Sequence, residues 1–315
     1  MILLEEHKKI INKITIFLLF FFSFLIIGVL FFAIRLSSNN IFLASLATNG
    51  FDVSQLTAKQ DDVVSAAELP SPSASLPIIL GQSAISIELG NGQSTATFSK
   101  NENKVLPIAS LTKIMTALIV FEHYDLNQKV VISESAMSQE GEQGNLKLGE
   151  VLSVKDLLYI SLIESSNRAA KALSEVVGTD QFVILMNEEA IRISLANTHF
   201  ADSSGLDQRS YSTAKDVAKL SEYVFLKYPL FGQIVGLRNF DLYVNGKLHH
   251  TLWTTDEILG EKGIIGGKTG WTNEARGCFM VIQKVNDNYV IHVVLGSEDR
   301  FGDMKKLIQA TPIYE

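Results

Sequence analysis

Cysteine is nearly absent from this 315-residue chain. Cys278 stands alone, so neither an internal disulfide framework nor a thiolate metal cluster can form. The six histidines include no H-E-x-x-H and no close cluster with Asp or Glu at metal-ligand spacing, which argues against a metal enzyme. Charge is scarce too, at 19% of residues. A net charge of -7 argues against the basic face that a nucleic-acid binder needs. What the chain has is apolar: hydrophobic residues make up 47%, enough for a sizeable core and too many for a disordered protein. The length suits one large domain with accessory segments.

The first such segment is Ile14 to Ile34, which carries no charge and only Thr15 and Ser23 as polar interruptions. It matches the roughly 20 residues that cross a bilayer as a helix. Lys8, Lys9 and Lys13 precede it and Arg35 alone follows, so residues 1–13 are expected in the cytoplasm and everything after residue 35 outside. A cleaved signal peptide ending near Ala44-Ser45-Leu46-Ala47 is the alternative, but its apolar region is normally shorter. No cysteine stands just after the run, which excludes a lipoprotein. Residues 35–77 read as a Ser/Pro-rich tether, with Pro70, Pro72 and Pro77 blocking helix and central strand. The expected product is a single-pass membrane protein with its head, residues 78–315, outside the cytoplasm.

In the head, Ser83–Leu89 alternates, Asn91-Gly92 is a hairpin signal, and Thr95–Ser99 is the expected return strand. Apolar residues at helical spacing predict a buried helix starting near Ala109. Ser153-x-x-Asp156 and Thr213-x-x-Asp216 are capping signals for two more helices, the second stopped by Pro229. Between them, 165–167 breaks one helix from the next, Gly178 ends that one, and Asp180 is the expected cap of another. Three β-branched runs around Gly263–Gly270, Cys278–Val285 and Tyr289–Gly296 predict strands, followed by a helix over 302–309. Two strands, a helical middle, then three strands and a helix suggest one antiparallel sheet with edges drawn from both ends of the head.

Three short motifs follow in order: Ser110-Leu-Thr-Lys113, Ser165-Ser-Asn167 and Lys268-Thr-Gly270. Alone, each is ordinary cap, turn or loop chemistry. Together, each sits where one mechanism needs it. Positions i and i+3 share a helix face, so Lys113 can reach the Ser110 hydroxyl, itself in a first turn that favours developing negative charge. A serine nucleophile needs an adjacent base, and lysine serves only when neutral. Burial and a second cation, Lys268, are the expected causes of a lowered Lys113 pKa. Ser165 can relay a proton to a leaving amine, and Asn167 can hold substrate or Lys113. Lys268 and Thr269 suit a carboxylate on a strand edge that pairs with an extended substrate. Gly270 permits close approach, and the N–H of Trp271 is a candidate to join that of Ser110 in an oxyanion hole.

The motif set is that of the penicillin-recognising serine enzymes. With the flanking PIASLTKIMTALIVFE, LSVKDLLYISLIESSNRAA, NTHFADSSGLD, STAKDVAKL and GGKTGWTNEA…VVLG, the head from about Ser83 to Leu307 resembles the low-molecular-mass D-alanyl-D-alanine carboxypeptidases of the S11 peptidase family. The resemblance implies an α/β sandwich of the DD-peptidase/β-lactamase type, a five-stranded antiparallel sheet with a helical subdomain. It implies Ser110 as acyl-enzyme nucleophile, Lys113 as proton acceptor, and Ser165 and Asn167 as the second active-site element. Lys268, Thr269 and Arg300 would bind the terminal carboxylate. No metal or organic cofactor is expected; the partners would be peptidoglycan stem peptides as substrate and β-lactams as inhibitors.

The chain departs from the family pattern at Arg168, where aspartate is usual, at Arg276, where glycine is frequent, and at Thr254-Thr255-Asp256, where Asn-Thr-Asn is familiar. A DD-endopeptidase would share every motif. A β-lactamase of the commonest serine form needs Glu-x-x-Leu-Asn after the second motif, and residues 168–267 contain none. A catalytically idle wall-binding scaffold has no need of a lysine beside a serine. Cys278 reads as a packing thiol, His199 as structural, and Trp253 as packing or cleft lining. His249 and His250 are expected to point to opposite faces of a strand, which speaks against a metal site.

Overall fold

The computed structural model describes residues 78–90, 94–141 and 143–311. The expected cytoplasmic segment, membrane helix, tether and Asn91-Gly92 turn lie outside the described residues. Among the described residues, no helix is long and apolar enough to cross a membrane.

Strands β1 (Ser83–Leu89) and β2 (Thr95–Lys100) form the expected antiparallel hairpin. After β3 (Leu106–Pro107) the chain enters a 3-10 turn, Ala109–Leu111, and then α1 (Thr112–His123). Ser110 was expected in the first turn of that helix; it lies instead in the tighter turn before it. The cause is local. Ala109 takes a left-handed φ of 47°, and the Leu111 N–H closes on Ile108 O at 3.2 Å. Helix α1 is buried at every position from Thr112 to Val120, the mark of a central helix.

Next come β4 (Lys129–Val131), α2 (Glu134–Met137) and β5 (Val151–Ser153). Helix α3 (Val154–Ile163) opens on the predicted capping box, with the Ser153 and Asp156 side chains each accepting from the other's backbone N–H. Helix α4 (Asn167–Glu175) follows the break at 164–166. Helix α5 (Thr179–Arg192) starts at Gly178, φ 90°, so Asp180 lies in its first turn rather than capping it. Strand β6 (Tyr211–Ser212) leads to α6 (Ala214–Lys227), capped by Thr213 accepting from Asp216 N at 3.0 Å. Pro229 both stops α6 and opens α7 (Pro229–Val235) at its first position, where a missing N–H costs nothing.

A ribbon not foreseen from the sequence follows, β7 (Asn239–Val244) and β8 (Lys247–Trp253). Its turn, Asn245-Gly246, has positive φ at both residues, as a tight hairpin requires. Leu242 pairs with His250 but Tyr243 pairs with Leu248, so His249 is the extra residue of a β-bulge. Strands β9 (Ile264–Thr272), β10 (Arg276–Val285) and β11 (Asn288–Ser297) and helix α8 (Arg300–Ala310) complete the described chain.

The main sheet runs β2-β1-β11-β10-β9, antiparallel throughout. The N-terminal hairpin supplies one edge and β9 the other. Both faces of the central strands are covered, which explains their unbroken apolar runs. Ile291, Val293 and Leu295 join Met280 and Ile282 in the cluster shared with α1, α3 and α6. Val294, Phe279 and Val281 pack instead with Met304, Leu307 and Ile308 of α8. This layering sets edge strand β9 beside the 3-10 turn that carries Ser110.

Candidate active site

Close approach of β9 to the serine turn is a glycine effect. A Cβ on Gly270 would stand 2.9 Å from Ser110 N and 3.2 Å from Ile108 O, so a side chain would push strand and turn apart. A second glycine closes the opposite side. Gly205 has φ 84°, and a Cβ there would lie 1.9 Å from Ala109 O. Asp202 shapes that loop by accepting from Gly205 N at 3.0 Å, Leu206 N at 3.1 Å and Ser210 Oγ at 2.9 Å.

Lys113 is fully buried on α1. Its Nζ stands 2.8 Å from Ser110 Oγ and donates to Asn167 Oδ1 at 2.7 Å and Ser204 O at 2.9 Å. Burial pulls its pKa from 10.5 down to about 7, opposed by the Asp202 carboxylate. Asn167 is held from its other end, its Nδ2 donating to Glu140 O at 2.9 Å.

Ser165, two residues before Asn167, receives the other lysine. Lys268 Nζ donates to Ser165 Oγ at 2.7 Å and to Thr269 O at 3.0 Å. Lys268 is also buried, and burial first, then the Lys113 and Arg300 cations, hold its pKa well below the ordinary value. Thus the turn between α3 and α4 grips both lysines, one through Ser165 and one through Asn167. Ser165 does so with a left-handed φ of 62°, a conformation that costs a non-glycine residue about 1–2 kcal/mol.

Thr269, buried on β9, shares a 2.6 Å hydrogen bond with Thr255 Oγ1. Trp271 follows Gly270 on β9 with an exposed indole. Arg300 opens α8; its Nε is buried without a hydrogen-bond partner among the described residues, and burial lowers its pKa. All nine site residues expected from the sequence therefore lie around β9, the serine turn and the α3–α4 turn, with Arg300 at the margin.

Sequence reasoning missed three contributors. The Asp202–Gly205 loop supplies the third partner of Lys113, and its Asp-Ser-Ser-Gly run is a turn signal. Thr255 stands in the segment noted only as a departure. His250 and its neighbour are the third. The two histidines were expected on opposite faces; the bulge at His249 turns both rings the same way, with Nδ1 atoms 2.6 Å apart. His250 Nε2 lies 3.0 Å from Glu164 Oε2, next to Ser165. Arg168, directly after Asn167, points its Nε to Gln139 O at 3.4 Å.

Other residues behave as packing groups. Cys278 is buried beside Pro107 O and Ala275 O, and burial pushes its thiol up to about 12. His199 pairs its backbone with Tyr211 and tilts its ring against that residue. Asp256, buried behind Gly267, is pushed up to about 6 by burial. Among the described residues, no group of His, Cys, Asp and Glu has metal-holding geometry.

The chain is similar over much of its length to known proteins. It is 34% identical over 227 residues to the D-alanyl-D-alanine carboxypeptidase DacF of Bacillus subtilis, covering 69% of this chain and 57% of that one. A D-alanyl-D-alanine endopeptidase of Pseudomonas aeruginosa is 31% identical, covering 85% and 86%. The crystal structure of a D-alanyl-D-alanine carboxypeptidase from Mycobacterium tuberculosis superposes with a TM-score of 0.69 at 27% identity, covering 79% of this chain and 95% of that one. The sequence model of the S11 peptidases, described as D-alanyl-D-alanine carboxypeptidase, matches residues 71–299. With its motifs brought together at one site and that match across most of its length, the chain belongs to the S11 family of DD-peptidases.

Proposed function

We propose that the protein is a serine-type D-alanyl-D-alanine carboxypeptidase that removes the terminal D-alanine of peptidoglycan stem peptides through an acyl-enzyme on Ser110. The observation that carries this is the buried Lys113 amine, 2.8 Å from Ser110 Oγ and locked by Asn167 and Ser204. Neutral Lys113 takes the Ser110 proton as Oγ attacks the carbonyl of the penultimate residue. The Ser110 and Trp271 N–H groups receive the developing oxyanion. The proton then passes to the amine of the departing D-alanine, with the Ser165 hydroxyl as relay, and the C–N bond breaks. Water activated by Lys113 hydrolyses the ester and restores Ser110. Lys268, Thr269 and Arg300 bind the terminal carboxylate, which explains why two cations are kept where burial opposes their charge. β-Lactams acylate the same serine because their carboxylate and strained amide mimic the peptide end.

DD-endopeptidase action on cross-links is the second reading, favoured by the similarity to the Pseudomonas endopeptidase across 85% of this chain. The apolar run 14–34 with lysines before it supports a single-pass anchor in the cell membrane, the tether 35–77 carrying the peptidase head outside the cytoplasm. The test uses purified full-length protein, with mass analysis after penicillin and after each of two substrates, a pentapeptide stem and a cross-linked dimer. Wild type should form a covalent adduct that Ser110→Ala lacks, and should release D-alanine from the pentapeptide. Cleavage of the dimer alone selects the endopeptidase. No adduct and no cleavage by folded protein defeats both.

A further inference from the structure

The histidine pair on β8 lies outside the three motifs yet touches the element that carries the second. His249 is 8% exposed and His250 18% at the side chain. Their Nδ1 atoms are 2.6 Å apart, a distance that requires one proton between them. His250 Nε2 is 3.0 Å from Glu164 Oε2, which accepts only if that nitrogen carries hydrogen. A neutral ring holds one proton, so the hydrogen between the rings belongs to His249 and the His250 Nδ1 accepts it. The tautomer of His250 is thereby set by its neighbour. His249 Nε2 lies 3.0 Å from Glu150 Oε1 but forms no hydrogen bond to it, which leaves the His249 proton to Nδ1.

Glu164 ends α3, and Ser165 follows it in the left-handed conformation. Such strain persists only where surroundings over-determine it. On one side Ser166 Oγ donates to Gln143 O at 2.6 Å. On the other, ribbon β7–β8 and its continuation supply two ties, His250 to Glu164 and Thr255 N to Ile163 O at 3.3 Å. We propose that His250 is a positioning residue for the peptidase reaction: His249 fixes its tautomer, its Nε2–H holds Glu164, and Glu164 in turn keeps the Ser165 hydroxyl on Lys268. This rests on the assignment of Ser110 and Ser165 above. It needs no metal and no new step in the chemistry.

The experiment measures covalent acylation of the full-length protein by a fluorescent penicillin, separating the binding constant from the limiting acylation rate. Displacement of a positioned group by an ångström costs on the order of a hundredfold, so His250→Leu should lower the limiting rate at least tenfold with binding changed less than threefold. His250→Gln keeps an N–H near the Nε2 position and should restore most of the rate. A merely structural role predicts neither the split nor the rescue. If wild type itself is not acylated, the assignment of Ser110 fails; if wild type reacts and His250→Leu matches it, only this inference is overturned. Should His250→Leu not fold, long-range 1H–15N spectra of wild type decide. Hydrogen on His250 Nε2 and His249 Nδ1 supports the proposal, and hydrogen on His250 Nδ1 alone refutes it.

Discussion

The acid limb of the reaction should belong to Lys113. Its drop from 10.5 to about 7 amounts to about 5 kcal/mol of lost preference for the ammonium form. That penalty weighs on the folded state below pH 7 and disappears as pH rises from there toward the ordinary lysine value, so the group contributes stability that increases across this window. The catalytic consequence has the same sign. About a tenth of the protein holds a neutral Lys113 at pH 6, half at pH 7 and roughly nine tenths at pH 8. The limiting acylation rate with a saturating penicillin should therefore rise about tenfold between pH 6 and 8 and level off above. Saturation matters, because it removes the effect of Lys268 on binding. Lys113→Arg keeps a cation that does not titrate in this range, and should lose 100-fold or more without any remaining limb near pH 7. A flat wild-type profile from pH 5 to 8, or an arginine variant within tenfold of wild type, would falsify the role of Lys113 as base.

Four further outcomes follow from particular contacts. Asp202→Asn removes the charge that favours the Lys113 ammonium, so the acid limb of acylation should move to lower pH. Thr255→Val deletes the partner of Thr269 and should weaken binding of a carboxylate-bearing penicillin three- to tenfold, read from the binding constant, since one hydrogen bond contributes about 1 kcal/mol. Arg276 has a left-handed φ of 55°, a conformation that suits glycine, and its ion pair with Glu298 is exposed, so Arg276→Gly should raise denaturant stability by about 1 kcal/mol. Cys278 should resist alkylation in the native protein and react only after unfolding; fast native labelling would contradict its burial and raised pKa.

The sheet was legible because its strands advertise themselves. β10 and β11 are long runs rich in β-branched residues, and being covered on both faces they read as continuous rather than alternating. Helix starts carried by side-chain caps were equally plain, as Ser153 and Thr213 show. What the sequence concealed was backbone conformation chosen by tertiary packing. Nothing local to Ala109 announces a left-handed φ; it follows from Gly270 and Gly205 pressing on the serine turn from two sides. Ribbon β7–β8 went unread although Asn245-Gly246 marks its turn, because its flanks mix polar and apolar residues and only Leu242 and Leu252 are buried.

The histidine pair shows the same limit at the scale of one residue. Alternation along a strand assigns adjacent side chains to opposite faces, and on that rule His249 and His250 could not meet. A single bulge suspends the rule at one position. It therefore decides whether His250 faces a partner that can fix its proton. The motif residues needed no such reading: Ser110 with Lys113, Ser165 with Asn167, and Lys268 with Thr269 each lie within a few residues on one element or turn. Contacts between motifs depend on how β8, β9 and the α3–α4 turn are brought together. Glu164 and Thr255 are where that assembly converges, one beside Ser165 and the other beneath Thr269. Substitutions there should alter the rate or binding of a reaction whose own residues are all intact.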